Sequence, residues 1–194
     1  MEDVSLSDFE LSKKFLTASN YEPSNSLITY ATNTNSTISV RGIKQDDGSD
    51  YCWACTAVSL GQYRKPNIVL NEKTIAIKYA GGLNVPRDIS YSSMILSQEY
   101  GVATVRYNAN PTFNTIKNRI NSGDPILANI SYNSGGGHSI LLNGYSDYTS
   151  KYIVAMDPLS GTYRTLNTTS SGGNYYLAYV SPTGASGSIY RYLI

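Results

Sequence analysis

The hydrophobic periodicity of this chain changes once, near residue 123, and that change constrains the fold more than any other feature. Between residues 52 and 122, apolar side chains recur at helical spacing. From residue 125 onward they come in β-branched and aromatic runs cut by Gly, Ser, Asn and Asp turns. Four helices are expected. The first covers 52–64, with small and apolar Ala54, Ala57, Val58 and Leu60, and Pro66 ends it. The second runs from an N-cap at Asn71 to residue 79, before Gly81-Gly82. The third covers 92–100 and is closed by Gly101. The fourth covers 112–122, with Phe113, Ile116 and Ile120 on one face and Gly123 as its stop. Strands are expected at 125–132, 138–145, 152–157, 162–166, 175–180 and 189–194. Helices first and strands later specify an α+β domain, a helical half with a buried first helix packed against a mostly antiparallel sheet. Residues 1–40 carry little pattern and read as an N-terminal extension, either a wrapping arm or the remnant of a pro-segment, with a strand at 37–40. Residues 41–194 are then the folded domain.

Composition narrows the function classes. A chain of 194 residues is long enough to bury one substantial core. The formal charge of +1 leaves no basic face for nucleic acid, and charged residues make up 15% of the chain. Globular domains usually have about 25%, so neutral polar groups, eighteen tyrosines among them, must supply the surface. No apolar run approaches the roughly 20 residues of a membrane span. No signal peptide opens at Met1, which leaves a cytoplasmic chain and a secreted chain without its leader as alternatives. Cys52 and Cys55 form a CxxC pair, but one histidine and no second pair leave zinc short of its four ligands.

Two positions stand out chemically. Cys52 opens the first helix, where unpaired N–H groups and the helix dipole favour a thiolate. His138, the only histidine, follows Gly135-Gly136-Gly137 and opens a strand. Read alone, each has an ordinary explanation: a small buried hydrophobe, and a hydrogen-bonded histidine at a sheet end. Together they are a nucleophile and a base in need of a third group to orient the imidazole. Asp157 ends an otherwise apolar strand that can form a hairpin with the His138 strand, and it is the leading choice. Asn143 is the alternative, although its odd spacing puts it on the opposite strand face. Asp147 falls in a turn facing solvent. An oxyanion would need two donors, and the Cys52 backbone N–H and the Gln45 side-chain amide, seven residues upstream, are candidates. This chemistry requires no cofactor and no metal.

Taken in order, Gln45, Cys52-Trp53-Ala54, Gly136-Gly137-His138, Asn143-Gly144-Tyr145 and Met156-Asp157-Pro158 resemble the papain-like cysteine peptidases. The likeness is to the bacterial branch that holds the bacteriocin-processing peptidases and the staphopains, and it covers residues 43–165. The resemblance implies a papain-like fold. It also implies Cys52 as nucleophile, His138 as base, Asp157 as orienter and Gln45 in the oxyanion hole. There are departures: the family usually places its glutamine six residues before the cysteine, and the papain disulfide pattern is absent. No transporter domain follows, so export-coupled leader cleavage is not implied. The expected substrate is a peptide or an acyl or thioester donor. Passing the Cys52 acyl group to water makes a peptidase or amidase, and passing it to an amine makes an acyltransferase of the kind found in peptide natural-product pathways. A papain-like module that only binds is the non-enzymatic rival. Neither the substrate nor the oligomeric state is encoded in any motif.

Overall fold

In the computed structural model, which describes residues 34–194, the change of periodicity becomes a division of labour between two faces of one sheet. The helices are α1 (Cys52–Arg64), α2 (Glu72–Ala80), α3 (Ile89–Tyr100) and α4 (Phe113–Asn121). The strands are β1 (Thr34–Thr37), β2 (Arg106–Tyr107), β3 (Ile126–Tyr132), β4 (Gly137–Asp147), β5 (Lys151–Asp157), β6 (Thr162–Ser171), β7 (Asn174–Leu177), β8 (Tyr179–Val180) and β9 (Ser186–Leu193). The main sheet runs β2-β9-β3-β4-β5-β6-β7, and every pairing is antiparallel. β1 and β8 lie off this path, on β4 and β9. The α+β architecture is as the sequence predicts. Among the described residues no helix is long and apolar enough to cross a membrane.

The central strands are buried on both faces, which explains their near-continuous apolar runs. Leu127, Leu141, Met156 and Leu193 pack with Trp53, Val58, Ile95 and the rest of α1–α3. On the opposite face Ile126, Ala128, Ile130, Ile140 and Leu142 meet Phe113, Ile116 and Ile120 of α4. All ten residues from Cys52 to Gly61 are buried, so this part of α1 is enclosed around its whole circumference. Gly61 makes this packing possible, because a Cβ there would lie 2.3 Å from the Tyr100 ring on α3.

The boundaries differ from expectation in instructive places. α3 starts one turn early, at Ile89, because the Asp88 carboxylate caps it by accepting the Ser90 N–H at 2.7 Å. The run 175–180 is two strands: β7 stays on β6, while β8 pairs with β9. The expected strand at 37–40 lies earlier, at Thr34–Thr37, where it pairs with Gly144–Asp147 of β4. Val40 is buried in the helical core, and residues 34–40 belong to the compact unit Asn33–Ile194. Of the expected N-terminal extension, residues 1–33 lie outside the described residues.

Candidate active site

Cys52 is the first residue of α1, and the N-cap residue Tyr51 makes no side-chain cap. The Tyr51 carbonyl accepts the Ala54 and Cys55 N–H groups at 2.9 and 3.0 Å. The N–H groups of Cys52 and Trp53 have no acceptor within the helix and add to the positive end of its dipole. Cys55, one turn on, is fully buried in the core, and burial pushes its thiol pKa up. Both cysteines are free.

His138 reaches Cys52 through the β3–β4 hairpin. Gly135 and Gly136 take φ of 91° and 81° in the turn, and a Cβ on Gly137 would fall 2.8 Å from the Ile130 carbonyl. The sheet register then sets the carboxylate. Leu141 faces Met156 across β4 and β5, which puts Asp157 diagonal to His138 on the same sheet face. His138 Nε2 donates to Asp157 Oδ1 at 2.7 Å. The other ring nitrogen makes no hydrogen bond among the described residues, and Cys52 and His138 line the same cleft.

Asp157 is fully buried and its oxygens are richly served. Besides His138, the Leu159 N–H donates to Oδ1 at 3.0 Å, Arg164 Nη1 to Oδ2 at 2.5 Å and the Tyr179 hydroxyl to Oδ2 at 2.9 Å. Burial by itself would raise the Asp157 pKa. The bond to His138, its charge and the Arg164 bond outweigh burial and hold it at about 2. For His138 burial works downward, but the bond to Asp157, the nearby Cys52 sulfur and the Asp157 charge raise it to about 9. Tyr132 stacks parallel to the imidazole and Tyr179 leans on it, with ring centres 6.5 and 5.9 Å away.

Gln45 makes no hydrogen bond to Cys52, His138 or Asp157. A turn at Asp46–Ser49, with Gly48 at φ 73°, takes up the chain between it and α1. Its backbone N–H donates to the Pro158 carbonyl at 2.9 Å, which ties it to the segment after Asp157. Its side-chain Nε2 donates to the Ser49 carbonyl, and its Oε1 is buried without a partner. Asn143 is not an orienter. A register shift in β4 separates it from β5, and its Nδ2 holds the Ile38 carbonyl at 2.8 Å. Asp147, expected in solvent, is half-enclosed by Lys117 and Lys151.

Cys52 and His138 open onto a cleft of about 290 Å³. Its other walls are residues 86–88 ahead of α3, residues 129–131 of β3, residues 136–139 around the His138 turn, and Tyr190 of β9. The segment ahead of α3 thus contributes to this cleft, whereas Asn110 lines a different cavity. Sequence reasoning missed Arg164, Tyr179 and Tyr132. The one available signal was that a buried carboxylate needs cationic or hydroxyl partners. Which arginine and which of eighteen tyrosines would serve depends on strand register.

An α+β fold with a cysteine opening the buried helix, facing a histidine–aspartate pair on the sheet, defines the papain-like cysteine peptidase class. The Peptidase_C39 like family model matches residues 37–183, and the chain belongs to that family. Among solved structures, the chain is similar to the crystal structure of UfSP from C. elegans, with a TM-score of 0.49 and 13% identity. That match covers 92% of this chain and 36% of the other, so the chain spans little more than a third of that neighbour's length. The comparison with curated proteins gives no match.

Proposed function

We propose that the protein is a Cys-His-Asp peptidase or amidase that forms a thioester on Cys52. The observation that carries this reading is the His138 imidazole, hydrogen-bonded to the Asp157 carboxylate and opening with Cys52 onto one cleft. In the proposed reaction, the Cys52 thiol proton resides on His138 and the sulfur attacks the substrate carbonyl carbon. The oxyanion that forms is met by the Cys52 N–H at the uncapped end of α1. It is also met by the second Nε2 hydrogen of Gln45, whose first is spent on the Ser49 carbonyl. Collapse expels the amine, which takes its proton from His138, and leaves the thioester. Water then gives a proton to His138 and attacks the thioester, and the acid leaves as the sulfur recovers. Asp157 stays ionised throughout and fixes the ring orientation.

The test is modification by an epoxysuccinyl inhibitor, followed by peptide mapping. The intact chain takes one equivalent on Cys52, Cys52→Ala takes none and loses peptide hydrolysis, and His138→Ala reacts far more slowly. Modification confined to Cys55, with hydrolysis intact, would sink the assignment. Transfer to an amine uses the same residues, so the fate of a trapped Cys52 acyl adduct separates the two outcomes. Decay in water alone supports the hydrolase, and decay only when an amine is added makes the protein an acyltransferase.

A further inference from the structure

Arg87 is the charged group of the cleft that the proposed chemistry leaves without a task. It lines the same cleft as Cys52 and His138, and its Nε is buried without a hydrogen-bond partner. A guanidinium cannot shed its proton in a protein, so its charge persists at any working pH. The neighbouring carboxylate does not neutralise it. Asp88 is committed to the Ser90 N–H at 2.7 Å, to the Ser90 hydroxyl, and to Arg191 Nη1 at 2.7 Å. No carboxylate among the described residues forms an ion pair with Arg87. The position of the guanidinium is nevertheless determined. Its carbon sits 4.7 Å from the centre of the Tyr91 ring, and Tyr91 in turn packs edge-on against Trp53, with ring centres 5.8 Å apart. Trp53 is the residue after Cys52, so Arg87 is braced on the helix that carries the nucleophile. A guanidinium without a carboxylate partner, on the wall of the cleft that Cys52 also lines, offers a fork of donors that matches the geometry of a carboxylate.

We propose that Arg87 binds a substrate carboxylate beside the acyl group that Cys52 accepts. This rests on the cysteine-acylation reading and specifies its substrate class, peptides that carry a negative charge next to the reacting carbonyl. The charge has two chemical sources, an acidic side chain or the free C-terminus of the peptide.

Alkylation of the intact protein distinguishes them without a known substrate. One pair of reagents is iodoacetylglycine and iodoacetylglycinamide, which differ by a terminal carboxylate. The other is the iodoacetyl derivatives of glutamyl amide and glutaminyl amide, which differ by a side-chain carboxylate. Rates are read at Cys52 by peptide mapping and expressed as an anionic-to-neutral ratio against the same ratio in the urea-unfolded chain. A charge-assisted bond predicts a folded-state ratio about tenfold above the unfolded one for at least one pair, and the pair that shows it identifies the source. Arg87→Gln returns that ratio to the unfolded value, and Arg87→Lys retains part of the gain. Ratios at the unfolded value for both pairs, with fast neutral alkylation of Cys52, overturn the role of Arg87 and leave the nucleophile standing. Neutral reagents that label Cys52 no faster in the folded chain than in the unfolded one take down both. The wild-type ratios decide the matter even if Arg87→Gln does not fold.

Discussion

At the scale of single residues, the site is governed by one buried carboxylate. Asp157 accepts from His138, Leu159, Arg164 and Tyr179, and these donors keep it ionised where burial alone would neutralise it. Its charge in turn helps to raise His138 to about 9. Replacing Asp157 by Asn keeps the shape and removes the charge, so the His138 pKa falls toward its ordinary 6.5. The alkaline limb of the pH–rate profile for Cys52 alkylation should therefore move to lower pH, whereas an unchanged limb would show that Asp157 does not tune the ring. Arg164→Met should shift it less, because three donors remain on Asp157. Gln45→Ala is expected to lower kcat by about 10²–10³, the usual loss on removing one oxyanion donor, with little change in Cys52 alkylation. A drop in both would place Gln45 in the framework and not in the hole. Cys52, His138 and Asp157 were all legible in the sequence, since a thiol at a helix start, a lone histidine after glycines and an aspartate ending an apolar strand are local signals. Arg164 and Tyr179 were not, because no local pattern distinguishes them from other arginines and tyrosines.

At the scale of elements, the packing of α1 decides where Cys52 sits. Gly61 costs the helix about 1 kcal/mol relative to alanine, yet a methyl group there would strike the buried Tyr100 ring at 2.3 Å. Gly61→Ala should therefore lower Tm, since overpacking typically costs about 1–3 kcal/mol and a contact this short belongs at the upper end. A rise in Tm would mean that α3 retreats freely and does not brace α1. The helices were readable from their caps and stops, Asn71, Gly81, Gly101 and Thr112 among them. The start of α3 was misplaced because its serine-rich first turn hides the Asp88 cap. The division of residues 175–180 between β7 and β8 could not be read locally, because a β-rich run does not state which neighbour each half will pair with.

At the scale of the whole molecule, the coupled charges of the site tie stability to pH. Asp157 is depressed from 3.8 to about 2, so its contribution is present above pH 3.8 and lost as pH falls through 2. His138 is raised from 6.5 to about 9, so its contribution is complete below 6.5 and lost as pH rises through 9. Tm should hold a plateau between about pH 4 and 6.5 and decline toward pH 9, and His138→Gln should flatten the alkaline decline; a decline of equal slope in that variant would assign it to other groups. The sequence by itself determined the fold class and the order of the elements, and it singled out Cys52, His138 and Asp157, because periodicity, caps and turn residues are local properties of the chain. Only the tertiary structure decided the register that lays Asp157 diagonal to His138, the donors that keep Asp157 charged, and the bracing of Arg87 through Tyr91 and Trp53 into the cleft beside Cys52. Those depend on contacts between residues far apart in the chain, and only the folded core brings such residues together.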